Sequence, residues 1–477
     1  NGAVLRAGTP QLREARECRD VLPERILERE QPELFQSIRR LEDRRRDLLT
    51  RLRAIRSQTA LRRIGRQLEE VRAEIDALRE QVRTMVAALI EKAQVVAATA
   101  SRFVIDEVLW TWPADTIIVD ETSMAPFPAI VAAAFRAKKR LHLFGDFRQL
   151  PPITRSRTPM VERWLGRDAF EISGVRAAAE EPNPSTIVTL LDTQYRMAKE
   201  ISRIVSEFGY GNRLHTDPQL NERVSAVSGG PPFPGHVATL VDTTQLDPVC
   251  AKEARGSSFS RFNALHAVLA VGLARAAALV GRSVAVITPY RAQARLVNAL
   301  VKLIQGRAPG ITAATVHRFQ GSERDVVVLD LVDAPEETAA SNLTGRDPEM
   351  AFRLLNVALS RARGKLVVLA HADFVRYRHG RTSPVRRAVS LLMEHGQWVT
   401  VRPDTLYEQF VQVGVDGHSK EGLKWLPSWD VAQQELSVEL QGVSRYMVIG
   451  FPPSFQPSAG LVEALGELAG RGVRTVV

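Results

Sequence analysis

The feature that most constrains this 477-residue chain is a short apolar run, met repeatedly, that ends each time on polar residues. "DTIIVDE", "RLHLFGD", "QVVAATA" and "TIVTLL" form a first set, and "VATLVDT", "SVAVITP", "ITAATV", "DVVVLDLV" and "KLVVLA" a second. A β-branched run without polar alternation predicts a strand covered on both faces, the habit of parallel sheets. Stretches of helical pattern separate the runs, so the fold class is α/β, built from βαβ units. The Pro/Gly-rich "SGGPPFPGH" at 228–236 divides the sets and predicts two similar domains in tandem. Parallel strands deliver their polar ends to one edge of the sheet, where open α/β folds bind ligands.

A different texture precedes them. Leu61, Ile64, Leu68, Val71, Ile75, Leu78, Val82, Met85 and Leu89 recur at alternating steps of three and four. Ile38, Leu41, Leu48, Leu52 and Ile55 keep the same rhythm, with Arg45 at a seam position and a turn predicted at "RSQTA", residues 56–60. Two helices zipped into a projecting hairpin follow, a coiled-coil insertion over residues 10–92. The arginines crowded between Arg39 and Arg66 either grip a phosphate backbone or form a solvated face.

The chain carries 64 basic and 54 acidic residues, net +10, with arginine dominant, which suits a polyanion partner. No apolar stretch reaches membrane-spanning length and no secretory leader opens the chain, so no membrane and a cytoplasmic location are expected. Cys18 and Cys250 lie too far apart in sequence to build a disulfide framework or a zinc cluster.

Four strand-end loops carry polar residues that packing does not require. Asp120 and Glu121 end the first run, and paired acids there can hold a magnesium-bound phosphate and handle a water. "LFGDFRQLPPI" at 143–153 places Gln149 on a loop stiffened by Pro151 and Pro152, where a neutral amide can sense a phosphate. "LLDTQYRM" at 190–197 offers Arg196 to a transferring phosphoryl group and the ring of Tyr195 to a base. "FQGSE" puts Gln320, Gly321 and Glu323 before a buried strand, where a carboxylate can accept from ribose hydroxyls. "NVALSRAR" reads as a helix ending on Arg361 and Arg363.

Together and in this order the strings resemble superfamily-one helicases, in the branch of the nonsense-mediated-decay helicase and senataxin. "VDETSM" is similar to motif II, "GDFRQLPP" to motif III, "QYRM" to motif IV, "FQGSERDVVV" to motif V and "NVALSRAR" to motif VI. "TPYRAQ" at 288–293 resembles the adjoining nucleic-acid motif. The resemblance covers about residues 1–372. It implies two tandem RecA-like motor domains, the first over 1–9 and 93–227 and the second over 228–376, with the hairpin inserted in the first. It also implies ATP and Mg2+ as ligands. Asp120 would coordinate the metal, Glu121 activate water, Gln149 sense the γ-phosphate, Arg196 and Arg361 clamp it, Tyr195 stack on adenine, and Gln320, Gly321 and Glu323 sit by the ribose. Single-stranded DNA or RNA would pass Thr99, Pro151, Pro289, Tyr290, Arg291, Thr315 and His317. A protein partner at the hairpin is a further expectation.

The pattern lacks G-x-x-x-x-G-K-[ST], so a phosphate loop is expected upstream of Asn1; the rival expectation is a docking scaffold that has lost ATP binding. Residues 377–477 are expected to form a separate, incomplete C-terminal α/β domain. This tail faintly resembles phospholipase-D-like nucleases, which implies a nuclease serving repair or antiviral defence. The letters of "HSK" at 418–420 fit that family's motif, but the acid that should follow is Trp425, so His418 and Lys420 are read as coincidence.

Overall fold

The computed structural model describes residues 4–7, 21–54, 57–154, 156, 158–180, 187–253, 260–304, 310–335, 343, 348–402, 446–448 and 474–476. His418 and Lys420 lie outside them, as does nearly all of the expected nuclease region. The described chain is α/β and divides into two compact units. One holds residues 1–146 and 151–176, and the other 147–150 and 177–477. Among the described residues no helix is long and apolar enough to cross a membrane.

In the first unit β1 (Val4–Ala7) is followed by α1 (Pro23–Glu30), α2 (Pro32–Ala54) and α3 (Gln58–Lys92). Leu48, Ile64, Val71 and Ile75 are buried along the α2–α3 seam with Leu41, Leu52 and Leu68 against them, and α3 starts two residues into the predicted turn. The far end of α3 is anchored by Ile90 in a cluster with Leu5 and Leu109. β2 (Val95–Ala98) pairs parallel with β1, and α4 (Ala100–Ile105) and α5 (Glu107–Thr111) follow. Then β3 (Thr116–Val119), α6 (Phe127–Arg136) and β4 (Arg140–Leu143) form a βαβ unit with β3 and β4 parallel. α7 (Pro159–Leu165) and α8 (Ala169–Ile172) complete this unit, and α9 (Val175–Glu180) straddles the boundary.

The second unit begins with β5 (Thr193–Gln194), α10 (Lys199–Gly209), β6 (His215–Thr216) and α11 (Leu220–Ser228). Residues 177–227, expected in the first domain, therefore belong with the second. The expected strand "TIVTLL" does not form; its Ile187, Leu190 and Leu191 are exposed and only Thr193–Gln194 is extended. Apolar residues make a strand only where a partner strand lies alongside to take up the backbone. The main sheet comprises β7 (Ala238–Asp242), β10 (Val284–Thr288), β11 (Ile311–Thr315), β12 (Arg324–Asp330), β13 (Ala362–Ala370) and β14 (Gln397–Thr400). A small antiparallel pair, β8 (Ala251–Lys252) and β9 (Arg261–Phe262), precedes β10. Strand order is β11-β10-β12-β13-β7-β14, all parallel.

Both faces of this sheet are covered, as the continuous runs predict. Val326 and Val328 point to a core shared with α12 (Ala264–Leu279) and α13 (Arg291–Ile304). Val327 and Leu329 point to the opposite core, shared with α10 and with α14 (Val316–Phe319), α15 (Pro348–Leu359), α16 (Ala372–Arg378) and α17 (Pro384–His395). Each such side chain contributes roughly 1.5–3 kcal/mol by leaving water. Two boundaries are corrected. β14 pairs with β7, so residues 377–402 continue the second sheet instead of opening a new domain. The helix carrying "NVALS" stops at Leu359, so Arg361 follows it and Arg363 lies in β13. A separate parallel pair, β15 (Tyr446–Val448) with β16 (Arg474–Val476), is all that is described beyond residue 402.

Candidate functional site

The two units each carry part of the predicted set. In the first, β3 ends at Val119 and the chain turns so tightly that Glu121 adopts φ 49°, a left-handed conformation that costs a bulky residue energy. Three bonds hold the turn: the amide of Thr122 donates to the carbonyl of Phe144 at 2.9 Å, that of Phe144 to Val119 at 2.8 Å, and Thr122 Oγ1 to Val119 at 3.0 Å. Gly145 is required for close approach, since a Cβ there would lie 3.0 Å from the Thr122 nitrogen and 3.1 Å from that of Ser123. So Phe144 and Gly145, immediately after β4, buttress the turn of "VDETSM". Asp120 is exposed, with Oδ1 accepting from the Glu121 amide at 2.9 Å. The buried Ser123 hydroxyl has no hydrogen-bond partner among the described residues. An open carboxylate and, three residues on, an unsatisfied hydroxyl suit a hydrated cation and its phosphate. Thr99 and Pro151 also lie in this unit; Thr99 is exposed and caps α4 through the Arg102 amide at 3.2 Å.

In the second unit the loop 147–150 is tied down by Leu150, 1% exposed in the core, and by Asn356 Nδ2, which donates to the Arg148 carbonyl at 3.0 Å. That places Gln149 Oε1 where Arg361 Nη2 donates to it at 3.0 Å, across 212 residues of sequence. Arg361 is 1% exposed and also donates to the carbonyl of Val357 at 2.9 Å and to Ser360 Oγ at 3.1 Å. A guanidinium is kept in such a place by geometry that satisfies its donors.

Arg196 pairs with Glu323 Oε2, while Arg363 Nε and Nη2 donate to Glu323 Oε1 at 2.9 and 2.7 Å. Burial pushes the Glu323 carboxyl up, but Arg363 and Arg196 outweigh it and hold the group below its ordinary value. Gln320 sits beside it with both amide atoms buried and unpartnered among the described residues, an orphaned donor and acceptor that suit a polar ligand. Gly321 turns the loop at φ 75°. Tyr195 is 68% exposed, its ring free to stack.

The carboxyl edge of the main sheet holds the remaining residues. Pro289, Arg291, Thr315 and His317 reach the surface in varying degree. Desolvation and the neighbouring Arg291 guanidinium push His317 below its usual value. Tyr290 differs from its expected place on a nucleic-acid track. It is 6% exposed, and its hydroxyl donates to Asp333 Oδ1 at 2.7 Å, where Arg261 also donates at 3.1 Å. Burial, with Asp333 beside it, raises the phenol well above its ordinary value. Behind it, His266 Nδ1 lies 2.9 Å from Asp330 Oδ1 and Gln293 Nε2 donates to Asp330 Oδ2 at 2.6 Å. This network carries Val332 at φ 68°, a strained conformation for a β-branched residue, with Asn263 Nδ2 donating to its carbonyl at 3.2 Å.

Sequence reasoning passed over several of these. Gln194 holds the "QYRM" turn by accepting from the amides of Arg196 at 2.9 Å and Met197 at 2.7 Å, while donating to Thr216 Oγ1 at 2.9 Å. Asn356 and His266 are polar residues inside apolar helices, "LLNVAL" and "ALHAVLAV", and that mismatch was the available signal.

Residues 3–157 and 175–373 each match a family model described as an AAA domain. Helicase sen1 of Schizosaccharomyces pombe is 29% identical over 311 residues, 63% of this chain and 17% of that protein. The chain belongs to the superfamily-one helicases. Its branch is that of sen1 and of the regulator of nonsense transcripts 1, whose Dictyostelium discoideum form is 27% identical over 61% of this chain and 21% of its own length. DNA-binding protein SMUBP-2 of Mesocricetus auratus is 28% identical over 74% of this chain and 35% of its own. The chain thus spans well under half the length of each of these relatives.

Proposed function

We propose that this helicase-family chain is the motor part of an ATP-dependent enzyme that moves on single-stranded nucleic acid. The observation that carries the reading is the assembly in the second unit: Gln149, Arg196, Glu323 and Arg361, from four separate strings, form two adjoining bonded sets on one core. Packing alone does not require a buried guanidinium to receive a loop amide. As a phosphate sensor the pair is apt, because Gln149 must exchange a guanidinium partner for an anion.

The two units are read as RecA-like motor domains, with α2 and α3 as a hairpin insertion in the first that is open to a protein partner. Asp120 would hold Mg2+, which supplies charge neutralisation on the phosphates. Glu121 accepts the proton of the attacking water, and its strained turn fixes the direction of approach. Arg361 and Arg196 offset the charge that builds on the transferring group. Glu323, with two arginines on it, positions Arg196 while keeping lone pairs for a ribose hydroxyl; Gln320 and Gly321 lie in the same loop and Tyr195 stacks on the base. Thr99, Pro151, Pro289, Arg291, Thr315 and His317 line the nucleic-acid path, and the name of SMUBP-2 as a DNA-binding protein supports such a partner.

The test is ATP hydrolysis by the full-length protein with and without single strands. Hydrolysis should rise with the strand, and Glu121→Gln should lower it by about 100- to 10,000-fold, the range of a lost general base. An unchanged rate in that variant removes Glu121 from the role.

A further inference from the structure

Beyond the strings that carry the family resemblance, residues 376–387 read "RYRHGRTSPVRR", with Arg376, Arg378, Arg381, Arg386 and Arg387 in twelve positions and no acid from Phe374 to Met393. Such a run is ordinarily a solvated face, and the helical hairpin carries both paired and unpaired arginines: Arg46 pairs with Asp43, Arg51 with Asp47, Arg79 with Glu42 and Arg83 with Glu80, while Arg40, Arg44, Arg45 and Arg53 have no carboxylate within ion-pairing distance among the described residues. On α16, α17 and the turn between them none of the five arginines has a carboxylate within ion-pairing distance among the described residues. Arg386 donates only to the His379 carbonyl at 3.4 Å and Arg387 to that of Glu207 at 2.7 Å. Like charges left unpaired side by side repel one another, and a polyanion relieves that.

Arg376 and Arg386 also line a groove of about 480 Å³, floored by Val389 and Met393 and closed on one side by Trp398 of β14. Trp398 is 50% exposed, and its indole nitrogen donates to Asp242 Oδ2 at 3.3 Å, so the ring is fixed with a face left open. Tyr377, between two of the arginines, is 78% exposed. One acid, Glu394, stands on the rim beside His395, which is bonded to Glu207 at 2.9 Å. Guanidiniums beside an open indole make a place for a phosphate and for the flat base next to it.

We propose that the α16–α17–Trp398 surface is a second contact for single-stranded nucleic acid, separate from the strand ends that carry Pro289 and Thr315. It rests on the nucleic-acid reading above. Strand order puts β14 five places from β11, about 24 Å across the sheet at the usual spacing. The proposal therefore lengthens the site beyond the loops that the family strings mark.

The experiment is anisotropy titration of the full-length protein with a labelled 20-nucleotide single strand over a range of salt. In Arg376→Ala/Arg386→Ala affinity should fall by about tenfold, and the slope of log affinity against log salt should lose about 1.4, two phosphate contacts at ~0.7 each. Trp398→Leu should cost about tenfold with no change of slope, and a 5-iodouracil strand should crosslink to Trp398 or Tyr377. Thermal midpoints verify folding, and Arg376→Ala alone, at an exposed position, gives the same direction at smaller size. Wild-type affinity and slope in the double variant, with ATP hydrolysis still strand-stimulated, overturn this inference and leave the proposed function standing. Loss of binding in a protein whose hydrolysis ignores the strand does the reverse. Phosphatidylserine vesicles that bind the wild type but not the double variant, at unchanged strand affinity, assign the patch to a membrane and overturn the inference.

Discussion

The two units solve the same problem with opposite materials. The first holds Asp120 in the open, on a pair of two-stranded sheets that leave Val95 and Ile118 more than half exposed. The second holds its arginines inside or against a six-stranded core in which Val326, Val327, Val328 and Leu329 are all buried. A carboxylate meant for a hydrated cation and a water needs solvent, and burial without a partner would neutralise it. A guanidinium meant for one stage of a reaction needs a fixed place, which a dense core and satisfied donors supply. Chemistry and stability should therefore separate in the first unit and be joined in the second.

The largest expected effect joins them. Arg361→Ala should remove the proposed clamp, an effect of about a thousandfold or more in hydrolysis. It also deletes the guanidinium's hydrogen bonds to the Val357 carbonyl and the Gln149 amide oxygen and opens a void in a closed site, at a cost of about 3 kcal/mol. Denaturant melts of the second unit, followed beside ATP hydrolysis, should show both losses, whereas Glu121→Gln should lose hydrolysis alone. Arg361→Ala with full stability would break the comparison.

Acid sharpens it next. Burial, with Arg261 nearby, pushes the His379 imidazole down to about 4, and the ring is 3% exposed, edge-on to Phe374. Above pH ~6.5 both folded and unfolded forms are neutral there, and stability is full. Between ~6.5 and ~4 only the unfolded chain takes the proton, so stability falls by about 3 kcal/mol across that window. Hydrogen exchange at pH 7 and pH 4.5 should show peptides around α16 and α17 loosening, and His379→Leu should flatten the change.

What the sequence made legible follows the same division. The second sheet could be read because its strands are buried on both faces, and a short β-branched run with no polar alternation has few places in a fold besides the middle of a covered sheet. The first unit's strand ends could be read from their acids, which stand where a βαβ turn must put them. "TIVTLL" misled because its composition is that of a strand while, among the described residues, no neighbouring strand takes up the backbone of 187–191. Arg361 reads in sequence as the end of a helix because periodicity does not mark where a helix stops within two residues. Asn356 and His266 gave little sign of their roles because their partners Arg148 and Asp330 lie 208 and 64 residues away, and only the fold brings a lone polar residue to its partner. The 376–387 arginines look no different in sequence from those of the hairpin. The groove with the half-exposed Trp398 beside them distinguishes them, and that is a property of three dimensions.

The smallest expected effect lies where the second unit's burial meets its surface. Tyr290 was expected to touch nucleic acid, yet its hydroxyl is spent on Asp333, deep beside Arg261, while Pro289 and Arg291 flank it at the loop surface. Its ring cannot stack on a base from there. What it can do is fix the loop, since Asp333 follows strained Val332 and the Asp330 network directly. Tyr290→Phe keeps the ring and deletes one hydrogen bond to a charged group, so a loss of about 1.5–3 kcal/mol in stability is the ceiling. If the hydroxyl serves only the core, strand affinity stays at the wild-type value while the melt shifts. If it positions Arg291, affinity drops a few-fold at unchanged salt slope, because no phosphate contact is deleted, only its aim. A drop in slope instead would mean that Tyr290 turns outward to meet the strand, and the contrast between an open first unit and a closed second would lose one of its supports.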